Sequence, residues 1–175
     1  GLDIKTQICM DKGKIKTAVV AIPMKQQEEL RLFVAEVLGQ EPEKLIINGT
    51  GIYTCHSSVA DCGVTGRKLA CDFYGASCPI GGGSPWTKDA SKADLTLNLY
   101  ARRLAVQNLA DNDEAFVYLA SCIGHPELLN AVLTTRKADK SYDKTLSVES
   151  RPSILIERLG LNKPVFAKFC REGLV

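Results

Sequence analysis

The sequence contains no apolar run approaching the roughly 18 residues that a membrane-spanning helix needs, so it reads as a soluble chain. An excess of one charge is missing too. Twenty-two Lys+Arg stand against 20 Asp+Glu, a formal charge of +2, which argues against a general nucleic-acid or membrane-surface binder. Histidine is scarce, with only His56 and His125, and none of the seven cysteines forms a Cys-x-x-Cys pair. That argues against a zinc site of ordinary spacing and favours reduced structural thiols in an intracellular, cytoplasmic setting. The opening Gly1-Leu2-Asp3-Ile4-Lys5 has no signal-peptide architecture. What is present is ordinary: 175 residues, 45% hydrophobic and 24% charged, enough to bury a core in one domain or two very small ones.

The patterning predicts an α+β chain. Ile4–Cys9 alternates apolar and polar residues, Asp11–Lys14 is a turn signal and Ile15–Ile22 is apolar and β-branched, which together predict a hairpin. Lys25–Leu38 places Leu30, Phe33, Val34, Val37 and Leu38 on a helical face that Gly39 ends. Leu45–Ile47 reads as a short buried strand and Lys68–Phe73 as another. Asp89 stands as the N-cap of a helix over Ala90–Leu109, carried by Leu97, Ala101, Leu104, Ala105 and Leu109. Ala115–Cys122 and Leu128–Thr135 read as strands, Ser141–Ser147 as an exposed link, and Arg151-Pro152 opens a last helix that Gly160 ends. Strand pairs alternating with single helices imply mixed or antiparallel sheets with helices on one face. The order hints at repeated small units without a clear internal repeat. It is divided into a first α+β unit, 1–52, a phosphate- and substrate-site segment of a second, 53–94, and a third, C-terminal unit, 95–175.

Two polar segments interrupt the scaffold, and both suit anions. In Asp61–Lys68, Gly63 and Gly66 permit tight turns, Thr65 offers a hydroxyl, and Arg67-Lys68 present two cations beside Asp61. In Gly81–Asp94, a triple glycine runs toward a helix start, with Lys88 before the helix and Lys92 in its first turn. Backbone N–H groups and the helix dipole there favour a phosphate. Asp94 offers a carboxylate to Mg²⁺ whose shell phosphate oxygens complete. A triple glycine by itself is more often a flexible loop, and neither segment matches a P-loop or a dinucleotide fingerprint.

The order and content of these segments resemble the S-adenosylmethionine synthetase (methionine adenosyltransferase) family. Ile47–Gly51 resembles its INPTG stretch, Asp61–Lys68 its GD-x-G-LTGRK and Gly81–Asp94 its GGGAFSGKDPSKVD. Tyr100-Ala101-Arg102 follows as YAAR does, Ser121–Gly124 sits where SYAIG stands, and Arg151-Pro152 through Phe166 follows the closing helix. The resemblance runs from about Ile4 to the C-terminus and implies parts of a three-domain α+β fold.

Position by position, the resemblance implies that Arg67 and Lys68 bind the leaving polyphosphate. Lys88 and Lys92 would contact phosphate and substrate carboxylate oxygens, and Asp94 would be a Mg²⁺ ligand. Asp61 would meet the methionine amino group, Tyr53 would stack on adenine and Ile123 would line the pocket. Mg²⁺ and K⁺ are the implied cofactors, ATP and L-methionine the substrates. The family's His-Pro-Asp-Lys opening motif does not occur here, and His125-Pro126-Glu127 reads as a strand-end turn. Ser57–Ala60, Ile80 and Ser84–Thr87 also depart from the family pattern. The resemblance therefore implies one chain of a split, hetero-oligomeric synthetase, with a second chain carrying the N-terminal half. The alternatives are a non-catalytic binding or regulatory protein that partners an intact synthetase, and a different phosphate-transfer enzyme that reuses the site.

Overall fold

A computed structural model describes residues 3–23, 28–74, 80–82 and 85–172. The start of the helix predicted from Lys25, together with Cys78, Gly83 and Ser84, lies outside the described residues. The chain divides into two compact units, Gly1–Val64 with Cys122–His125, and Thr65–Ser121 with Pro126–Val175.

In the first unit, strands β1 (Lys5–Asp11) and β2 (Lys14–Ala21) pair antiparallel around a two-residue turn. Lys12 and Gly13 both take positive φ there, the backbone twist that a tight hairpin requires. Helix α1 (Glu28–Leu38) ends at Gly39, whose φ of +65° lets its N–H reach Glu36 O at 3.1 Å. Strand β3 (Lys44–Ile47) then pairs parallel to β2, giving the sheet order β1-β2-β3. The buried stripe of α1 is narrower than its apolar pattern. Leu30, Val34 and Leu38 pack on Val20, Ile22, Leu45 and Ile47, while Phe33 and Val37 face outward.

Asn48 locks the end of this sheet. It is buried with a φ of +47°, its N–H reaches Val20 O at 2.9 Å, and its side-chain amide pairs with both backbone groups of Ile22 at 2.8 and 2.9 Å. A side chain thus stands in for a further strand residue.

The second unit opens with α3 (Leu69–Tyr74), after the one-turn α2 (Ser57–Ala60) of the first. The strand expected over Lys68–Phe73 is therefore corrected to a helix. Asp72 N–H bonds Lys68 O at 2.9 Å, the i to i+4 closure of a helical turn. Six residues of apolar alternation are too few to separate the two periods.

Helix α4 (Ala93–Leu109) follows a 3₁₀ turn at Pro85–Thr87. Strands β4 (Glu114–Ala120), β5 (Asn130–Lys137) and β6 (Lys140–Thr145) form an antiparallel sheet, and α5 (Pro152–Arg158) and α6 (Phe166–Glu172) close the unit. Ser141–Ser147 is thus not a link. Most of it is β6, reached through a two-residue turn in which Ala138 takes a φ of +50°. All six β6 residues are exposed, so no apolar alternation marked the strand.

Tyr100 and Leu104 of α4 pack with Leu155 of α5 over Val117 and Leu119 of β4, which places the helices on one face of the sheet. Leu95 and Leu99 pack instead with Leu161, Phe166 and Phe169. Cys9 and Cys122 are buried free thiols, and Cys55, Cys62 and Cys170 are exposed ones. Among the described residues no helix is long and apolar enough to cross a membrane.

Asn48→Ala would leave the N–H and C=O of Ile22 without their partners, and the first unit should lose about 2 kcal/mol in chemical denaturation. A second prediction concerns Glu149, whose carboxylate accepts from the Arg151 guanidinium at 3.0 and 2.9 Å and from the Ser150 and Arg151 N–H groups at 3.0 Å. Arg151 is the main cause that holds its pKa down to about 2, from an ordinary 4.5. The group binds more protons when unfolded, so its contribution is full above pH 4.5 and lost as pH falls through about 2. Glu149→Gln should flatten the acid limb of the melting-temperature profile between those values.

Candidate phosphate site

In the first unit the Asn48–Gly51 loop meets the segment Cys122–Gly124. A Cβ on Gly49 would overlap the backbone carbonyl oxygen of Ile123, and one on Gly124 would stand 2.7 Å from Gly49 C, so each position is restricted to glycine. Two of the sequence motifs singled out above are therefore in backbone contact. Burial against this loop raises the Cys122 pKa, which makes the thiol a poor nucleophile. Ile123 stays 76% exposed.

Tyr53 is held through its hydroxyl. Its hydroxyl donates to Asp3 Oδ2 at 2.8 Å, and the same carboxylate oxygen accepts from Ser57 N–H at 3.2 Å. The Tyr53 bond is the main cause that lowers the Asp3 pKa, and Asp3 in turn raises that of Tyr53. Asp3 is a polar anchor that no sequence motif revealed. Asp61 is exposed at the end of α2, and its Oδ1 accepts from Gly63 N–H at 3.2 Å.

The second unit holds the charged cluster. Lys88 and Asp94 form an ion pair, with side chains 29% and 36% exposed. Both lie at the head of α4, because that helix begins at Ala93 and not at Ala90. Lys92 is correspondingly the N-cap rather than a first-turn residue, and its side chain makes no cap hydrogen bond. Asp89, expected as the cap, instead turns the chain just before it: its Oδ1 accepts from the Ser91 N–H at 2.8 Å and from the Ser91 hydroxyl. Those bonds, the hydroxyl's first, lower its pKa. Asp94 occupies the first turn, where a carboxylate is favoured by the helix dipole.

Gly82 backs this pair. Its φ is +73°, and a Cβ there would come within 2.7 Å of Asp94 Oδ1. Asn98, one turn along α4, donates to Gly81 O at 2.6 Å and to Asp94 O. Asn98 is a polar residue within a helical pattern and gave no sequence signal. Beside the pair, Thr87–Ser91 with Leu161 and Phe166 line a cleft of about 660 Å³.

Of the eight residues marked by the sequence, the structure thus joins Lys88 to Asp94 and sets Lys92 two positions before Asp94. Arg67 and Lys68 are exposed just before α3 in the same unit, and among the described residues no ion pair joins them to Lys88 or Asp94. Tyr53, Asp61 and Ile123 belong to the first unit. No group of three or more His, Cys, Asp or Glu gathers among the described residues. A single carboxylate does suit Mg²⁺ when phosphate oxygens and water complete its octahedron.

Residues 55–175 match the family described as "S-adenosylmethionine synthetase, C-terminal domain". The S-adenosylmethionine synthase of Helicobacter hepaticus is 32% identical over 98% of this chain and 51% of its own length. That of Kosmotoga olearia is 30% identical over 98% of this chain and 50% of its own length. That of Brachyspira hyodysenteriae is 35% identical over 74% of this chain and 35% of its own length. The chain spans about half, or less, of the length of the curated relatives it matches. It belongs to the S-adenosylmethionine synthetase family.

Proposed function

We propose that the chain supplies the leaving-group side of a methionine adenosyltransferase site, within a hetero-oligomer whose second chain carries the N-terminal half of the synthetase. The Lys88–Asp94 pair at the head of α4, backed by Gly82, carries this reading. The cation and the carboxylate neutralise each other until a metal-bound polyanion offers each a better partner. Lys88 would then be free for phosphate oxygens, and Asp94 would hold Mg²⁺. When bound there, Mg²⁺ would supply neutralising charge to the polyphosphate. K⁺ is the second cation that the family resemblance implies.

In the reaction the methionine sulfur uses a lone pair to form a bond to C5′ of ATP. The C5′–O bond breaks, tripolyphosphate leaves with the electron pair, and the sulfur becomes a sulfonium. A thioether has no proton to lose, so the attack needs no general base. Catalysis then rests on alignment and on stabilising the charge that gathers on the leaving oxygen. Arg67, Lys68, Lys88 and Lys92 are the cations proposed for that charge. Asp61 is proposed for the methionine ammonium, and Tyr53 and Ile123 for the adenine side. Hydrolysis of the tripolyphosphate would follow on the same cations. The three-unit division 1–52, 53–94 and 95–175 is proposed as this chain's share of the three synthetase domains.

Arg67→Ala or Lys92→Ala in the assembled enzyme should lower turnover of ATP and methionine by about a hundredfold, as loss of a charge-stabilising donor does elsewhere. A change below threefold at both positions would sink the assignment. Native mass spectrometry of the protein from its own source should reveal a stoichiometric companion bearing a His-Pro-Asp-Lys motif. A longer form of this same chain carrying that motif would overturn the two-chain arrangement and keep the chemistry. An inactive complex with an intact synthetase would replace the catalytic reading with the regulatory one.

A further inference from the structure

We propose that Asn98 is a positioning residue that clamps the Gly81–Gly82 turn onto the first turn of α4, and so sets the affinity of the Lys88–Asp94 site for a metal-bound polyphosphate. The proposal rests on the phosphate-site reading above. It adds a residue outside the charged set.

Asn98 lies four residues after Asp94, so the two share one face of α4. Its carboxamide has two N–H donors, and both are committed: one to Gly81 O at 2.6 Å, the other to Asp94 O. One side chain therefore ties the glycine turn and the helix head to a single point. Gly82 completes the arrangement, since its bare Cα lies against the Asp94 carboxyl where a Cβ would come within 2.7 Å of Oδ1. The turn cannot shift without loosening the wall behind Asp94. Glycine is the residue that loses most freedom when fixed, so a turn held in place before the ligand arrives spares that cost at binding. Asp has the same shape as Asn but, when ionised, no N–H to donate, which separates the clamp from mere space-filling.

The test uses the protein in its synthetase assembly with Asn98→Ala and Asn98→Asp. ¹⁵N relaxation reports the order of the Gly81 and Gly82 amides, and calorimetry reports binding of tripolyphosphate with Mg²⁺. In both variants the order parameters should fall from about 0.85 to below about 0.6, the range that separates rigid from flexible backbone. The dissociation constant should rise about tenfold, the usual worth of a lost hydrogen bond. KM for ATP should follow it while kcat changes less than threefold. Rigid Gly81 and Gly82 in both variants, or a binding change below twofold, would overturn the clamp. A wild-type assembly that binds no Mg²⁺–tripolyphosphate overturns the function proposed above, and the relaxation data then decide the clamp by themselves.

Discussion

Helix α4 has to satisfy two cores at once, and the second unit is arranged around that demand. Leu95 and Leu99 belong with Leu161 and the aromatic residues of α6, while Tyr100 and Leu104 belong with Leu155 and the sheet. Leu95 and Leu155 are fully buried, so neither contact can slide without opening a cavity in a close-packed interior. A helix held in both directions has a fixed head. Lys88, Asp94 and Asn98 inherit that fixity, which is why a charged cluster at the rim of a small unit keeps a defined geometry.

The second theme is charge held in reserve. The chain is nearly neutral, and at α4 the neutrality is local, with a lysine matched to an aspartate. A partly exposed pair of this kind contributes little to stability, so separating it for a ligand costs little. The same economy recurs at Tyr53 and Asp3, where a hydroxyl is parked on a carboxylate. No buried side-chain N or O atom among the described residues is left without a partner.

Much of the scaffold was legible in the sequence because its cause is local. The hairpin, α1, β3, α4, β4, β5 and α5 follow from apolar periodicity, turn residues and Pro or Gly at helix ends. The failures have physical causes too. Strand β6 is stabilised by pairing with β5 and by the Thr134–Asp143 hydrogen bond, not by burial, so its sequence carries no period. Helix α3 is too short to show one. Helix α6 begins at Phe166, close behind the stop signal at Gly160, and its short length hid it. Of the site, the charged residues were visible as types in glycine-bearing segments. Asn98 and Asp3 were not, because each owes its role to a partner brought up by the fold from 17 or 50 residues away.

The unburied character of β6 has a further consequence for how the sheet ends. It is an outer strand, with one row of backbone donors and acceptors left for any extended chain that drifts against it. Lys140, Lys144 and Asp143 stud that short strand with charge, and all six of its residues face water. A stray strand would have to strip water from those charged side chains to dock, with little apolar surface besides Tyr142 gained in return. The β6 border of the second unit therefore discourages accretion.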